Sequence, residues 1–149
     1  MLQVRSLMIT HKKDLRMLIK DFDLILNKGD KAALIGEEGN GKSTLLKWMY
    51  DPKLIEDYAE AEGSCILQGE LLGYLPQELA KEDKEKAVYQ YFYELSAFQG
   101  TSSAELNKMS VELGFDAELY YSPQEMKTLS GGERIKLQLA GLLLAQPDI

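Results

Sequence analysis

Eight residues carry the first chemical signal: Gly36-Glu37-Glu38-Gly39-Asn40-Gly41-Lys42-Ser43 fits the pattern G-x-x-x-x-G-K-[ST]. Glycines let a backbone wrap with its N–H groups pointing inward, where no side chain blocks a phosphate. The loop feeds a helix start, whose unpaired N–H groups and dipole favour an anion. Lys42 supplies a full positive charge for β- and γ-phosphates, and the Ser43 hydroxyl suits Mg2+. The apolar run KAALIG precedes the loop and an amphipathic stretch follows it, which is the context the motif requires. The expectation is binding of a nucleoside triphosphate, with Gly36, Gly39, Asn40, Gly41, Lys42, Ser43 and Thr44 around its phosphates.

A second glycine turn lies in LSGGERIKLQLAGLLLAQPDI, from Leu129 to Ile149. Ser130 and Glu133 form S-x-x-E, a capping box at a helix start. A plain cap explains those two residues but not the paired Gly131 and Gly132. With their backbone N–H groups open, the turn reads as a second anion-binding helix terminus.

The elements that must position these turns follow from periodicity. LQVRSL alternates and reads as a strand, and Phe22–Leu26 as a second. NKGD is a turn, and KAALIG is expected to be a buried central strand. Leu45, Trp48 and Met49 share one face of the helix after the loop, which Asp51–Pro52 ends. EDYAEAEG reads as acidic surface, and CIL and LLGYL, flanking QGE, as a hairpin. Helices are expected from Lys84 to about Glu94, with Val88, Tyr91, Phe92 and Leu95 inward, and from Ser103 to about Gly114. The aromatic run YQYFYEL reads as core rather than a base-stacking surface, given its acidic surroundings. Pro123 lies in a loop, and the last helix starts at Ser130. The whole is one α/β domain over 1–149 with a helical subdomain at about 80–128.

Composition excludes several classes. The 149 residues carry a net charge of −7, which argues against nucleic acid gripped by the whole surface. Cys65 is the single cysteine, so no internal disulfide forms; it fits a small buried hydrophobe in a reducing compartment. The N-terminus lacks the pattern of a signal peptide, and no run approaches the ~20 apolar residues of a membrane span.

With GEEGNGKST, then GYLPQE, then LSGGERIKLQLAGLLLAQPD, the chain resembles an ATP-binding cassette (ABC) ATPase domain along nearly its whole length. The resemblance implies the α/β fold of P-loop NTPases of the ABC type: an N-terminal β-subdomain, a central sheet left incomplete here, and a helical subdomain. It implies ATP and Mg2+ as cofactors, with Lys42 and Gln77 in catalysis and Ser43 and Gln77 at the metal. It implies that Ser130, Gly131, Gly132 and Glu133 face the γ-phosphate held by a second ABC domain, in the same parent chain or a homodimer. His11 is the candidate to stack on adenine, since no Tyr or Phe lies near it in sequence. Family loops usually carry Asn where this chain has Glu38; Glu37 and Glu38 are expected to face solvent and weaken ATP binding modestly.

Within the family the motifs, and the short distance from Lys42 to Ser130, look most like the first ABC domain of an ABC-F protein. That group has no membrane segments and acts on the ribosome, some members protecting it from antibiotics, which implies a cytoplasmic location and no membrane insertion. The alternatives are the ATP-binding subunit of a transporter and a nucleotide-dependent dimerisation module. The family's Walker B aspartate and catalytic glutamate come after QPDI, so the resemblance implies that these residues bind ATP without hydrolysing it.

Overall fold

The computed structural model describes all 149 residues, which divide into two compact units, Met1–Tyr74 with Asp148–Ile149, and Leu75–Pro147. In the first unit, strands β1 (Leu2–His11), β2 (Met17–Leu26) and β3 (Ala59–Leu67) form an antiparallel sheet in the order β2-β1-β3. Helix α1 (Lys42–Tyr50) covers it. Leu2, Val4, Leu7 and Ile9 of β1 are buried in one core with Leu45 and Trp48 of α1. Leu2 and Val4 keep one parity and Leu7 and Ile9 the other. The switch occurs at Ser6, whose φ of 47° marks the register break in β1. Opposite the break, Gly63 has φ 129°, and a Cβ there would lie 2.8 Å from Leu7 Cα and 2.9 Å from the Arg5 carbonyl oxygen. Only glycine fits that bend.

Three sequence expectations change in this unit. KAALIG is not a buried strand: residues 31–37 join no ladder, and Leu34 and Ile35 are 41% and 92% exposed. A central strand needs hydrogen-bonded neighbours on both edges, and no strand lies beside this one. EDYAEAEG is part strand, because Ala59 and Ala61 alternate with Glu60 and Glu62 and pack against the core. CIL belongs to β3 rather than to a hairpin with LLGYL. The backbone at Leu71–Gly73 instead meets Ile149, whose N–H donates to the Leu71 oxygen (3.3 Å) and whose oxygen accepts from the Gly73 N–H (2.7 Å). That is the slanted pattern of a parallel pair. Cys65 is half-buried against the core, and burial raises its thiol pKa.

The second unit is helical: α2 (Lys81–Lys84), α3 (Val88–Tyr93), α4 (Ser96–Gln99), α5 (Ser103–Leu113) and α6 (Gly131–Leu144). Its core centres on Phe92, whose ring meets Tyr120 edge-on at 4.8 Å, with Val88, Leu106, Met126, Leu137 and Ala140 around them. Of the aromatic run, Phe92 is core, with Tyr91 and Leu95 packed against it, as the helical spacing predicts, while Tyr89 and Tyr93 are exposed. The helix expected from Lys84 to Glu94 is broken, however. Val88 N–H donates to the Gln124 oxygen and Met126 N–H to the Lys86 oxygen, so a strand-like contact takes Lys86–Val88 out of helical geometry. Helix α5 begins on a Ser102–Glu105 capping box and ends at Gly114, φ 72°, in agreement with its expected limits.

Candidate functional site

In the first unit the chain leaves residues 31–40 as loop and enters α1 through Gly41, which occupies the left-handed region at φ 79°. A Cβ at Gly41 would lie 3.0 Å from Leu18 Cβ on β2, so both conformation and space demand glycine. Gly39 also has φ 79°. The first intrahelical bond is Leu45 N–H to the Gly41 oxygen, which leaves the N–H groups of Lys42, Ser43 and Thr44 without backbone acceptors. Lys42 Nζ folds back over the loop, donating to the oxygens of Gly36 (2.8 Å) and Glu37 (2.6 Å). The Lys42 ammonium, three free N–H groups and the α1 dipole all favour an anion beside the loop. The residues present fit a phosphate chain, with the exposed Ser43 hydroxyl beside it as a hard oxygen donor for Mg2+. Glu37 and Glu38 are both exposed, as expected.

The β1–β2 turn supplies a contact that sequence reasoning missed. Arg16 Nη2 donates to the Gly39 oxygen at 3.2 Å, which ties the turn to the loop. The basic run KKDLR between two strands was the available signal. Next to it His11 Nδ1 lies 2.8 Å from Asp14 Oδ1. The Arg16 N–H and then the His11 ring hold the Asp14 carboxyl below its usual range. The sequence offers no aromatic beside His11, but the fold brings Tyr58 to 6.4 Å from its ring, with Lys47 Nζ 5.8 Å above the Tyr58 ring.

In the second unit Ser130 caps α6. Glu133 N–H donates to Ser130 Oγ (3.3 Å), while the Ser130 N–H and hydroxyl donate to Glu133 Oε2 at 3.0 and 2.6 Å. Those hydrogen bonds from Ser130 lower the Glu133 pKa. Gly131 and Gly132 are exposed, and a Cβ on either would meet nothing within 4 Å. Gln77 and Gly131 line one cleft of about 350 Å³ with Glu78, Leu79, Arg134 and Gln138. Arg134 Nη2 donates to the Leu129 oxygen at 3.0 Å, which steadies the turn from behind. Gln138, a polar residue on the apolar face of α6, was also missed; its only sequence signal is the interruption of LQLA.

A sheet-and-helix unit that delivers a glycine loop to a helix start, and a helical unit carrying a capped Ser-Gly-Gly turn, define a nucleotide-binding domain of the P-loop type. Comparison with known proteins gives the family. The model described as "ABC transporter" matches residues 19–149, and the chain belongs to that family of ATP-binding domains. Its relatives include ABC-F proteins: it is 31% identical over 135 residues to the "Ribosome protection protein VmlR" of Bacillus subtilis (strain 168), covering 90% of this chain and 23% of that protein. It is 29% identical over 147 residues to a "Probable metal transport system ATP-binding protein" of Thermotoga maritima, covering 95% and 59%. A solved "ATP binding subunit of ABC transporter" superposes with a TM-score of 0.69 at 20% identity, over 98% of this chain and 62% of that one, which shows the fold. The chain thus spans less than two thirds of each. No helix is long and apolar enough to cross a membrane.

Proposed function

We propose that residues 36–44 hold the phosphates of ATP, and that the protein acts as an ABC-F type ATPase on the ribosome. The observation that carries the first part is the convergence of Lys42 Nζ and the free N–H groups of α1 beside a left-handed Gly41. Lys42 exchanges its loop carbonyls for the β- and γ-phosphates, and the N–H groups of Gly41–Thr44 take the phosphate oxygens. The Ser43 hydroxyl would hold Mg2+, which would supply neutralising charge to those phosphates, and the family resemblance alone makes Gln77 a further metal ligand in this reading. His11, oriented by Asp14, is the group for the adenine. In this reading these residues grip phosphate and metal, and none of them serves as the base for water.

The Ser130–Glu133 turn faces a partner's γ-phosphate. Its glycines answer to no packing or conformational need within their own unit, which supports an approach from outside. The partner is a second ABC domain, in the same parent protein or a homodimer. The ribosome enters through the relative named for ribosome protection; a cytoplasmic location and a role against antibiotics belong to the same proposal through the ABC-F resemblance. The metal-transport relative favours a second reading, an ATP-binding subunit of a transporter. Sedimentation through sucrose with ribosomes and a non-hydrolysable ATP analogue separates them. Nucleotide-dependent co-sedimentation of the parent protein is expected; recovery only with membranes contradicts the ribosomal reading.

A further inference from the structure

The cleft lined by Gln77, Leu79, Arg134 and Gln138 contains groups that match one another without meeting. Gln138 is 95% buried on α6, as 5% of it is exposed, and its Oε1 has no hydrogen-bond donor. Arg134 Nε, one turn earlier, is buried without an acceptor. Across the same cleft, none of the N–H groups of Gln77, Glu78 and Leu79 donates to a backbone carbonyl, although Leu79 is only 6% exposed. Pro76, just before them, has no N–H to give. Gln77 and Glu78 are exposed, but a buried acceptor on Gln138 and a buried donor on Arg134 without partners, beside the buried Leu79, raise the energy of the arrangement in which they stay apart.

We propose that Gln138 is a positioning residue for the Gln77 segment: its carboxamide oxygen accepts the peptide N–H of Leu79, or of its neighbour Glu78, when the segment closes onto α6. Arg134 Nε–H donates to a carbonyl oxygen of the same segment. The two contacts fix the direction of the Gln77 side chain by holding the backbone on its C-terminal side. The consequence for nucleotide rests on the metal-binding role proposed above for Gln77.

Amide hydrogen exchange on the chain without nucleotide tests the contact itself. Gln138→Met keeps the volume and removes the acceptor; exchange at Gln77–Leu79 is expected to rise about tenfold while Leu106 and Leu137 stay protected. Gln138→Glu restores the acceptor and the protection. Unchanged exchange at Gln77–Leu79 in the Met variant overturns the proposal. Loss of protection throughout 75–147 overturns it too, since Gln138 would then serve packing. Titration with Mg2+-ATP and with ATP in EDTA reads the consequence: the Met variant loses about tenfold in affinity for the first alone. Equal loss for both forms contradicts positioning of Gln77. A wild-type chain that binds neither form removes the nucleotide reading and leaves the contact to stand on the exchange result.

Discussion

The two glycine turns look alike in sequence and are built on opposite grounds. At Gly41 the glycine is dictated from inside: the left-handed backbone and the wall of Leu18 at 3.0 Å exclude any other residue. At Gly131 and Gly132 the backbone is ordinary helix and the space beside each is empty. The first turn is shaped by its own unit, ready for a ligand. The second gives up helix propensity and receives nothing from its own unit in return. A glycine that a fold does not need leaves room for an occupant from outside, so under the proposed function the difference separates a loop shaped by its own unit from a surface offered to a second ABC domain.

Gly41→Ala gives the largest effect. Forcing Cβ onto a left-handed residue against Leu18 is expected to cost roughly 1–3 kcal/mol and to abolish ATP binding, read by thermal denaturation and by titration. Ser130→Ala removes the cap of α6 and is expected to cost about 1 kcal/mol with ATP binding by the chain unchanged. The same cap has a pH signature. Glu133 has a pKa lowered in the folded state, so its stabilisation is fully present above the ordinary glutamate pKa. It is lost as pH falls through the depressed folded value, and the first turn of α6 frays in acid. Amide exchange at Glu133 and Arg134 across that range checks it.

Gly132→Ala sharpens the comparison most, because its sign is reversed. The chain is expected to gain up to about 0.5–1 kcal/mol in stability, keep its ATP affinity, and lose nucleotide-dependent association with a second ABC domain in sedimentation. Retained association contradicts the outward-facing reading. Glu38→Asn has the smallest effect: with both carboxylates in solvent, ATP affinity is expected to rise only about two- to fivefold, given screening.

Local signals made much of this legible. The α1 face of Leu45 and Trp48, the Gly114 stop of α5 and the Ser130 start of α6 rest on spacing and caps, which the chain writes down residue by residue. What failed depends on distant partners. KAALIG has the composition of a central strand and no neighbour to pair with. Lys86–Val88 has helical composition, but the backbone of Gln124–Met126, nearly forty residues on, takes it into a bridge. Glu60 and Glu62 hid a strand because only its alanine face is buried. At the site, the glycines and Lys42 were plain in sequence. Arg16, Tyr58 and Gln138 were not, since a bend between two strands, a neighbour across the sheet and an unmet carboxamide appear only in three dimensions.

The central claim is that the loop at 36–44 binds ATP through Lys42. Isothermal titration of the purified chain with Mg2+-ATP, beside Lys42→Ala, tests it directly. The account predicts saturable binding by the wild type and a loss of roughly ten- to a hundredfold in the variant, the scale of a charge-assisted hydrogen bond. Equal affinity in the two, or no binding by a folded wild-type chain, would contradict it.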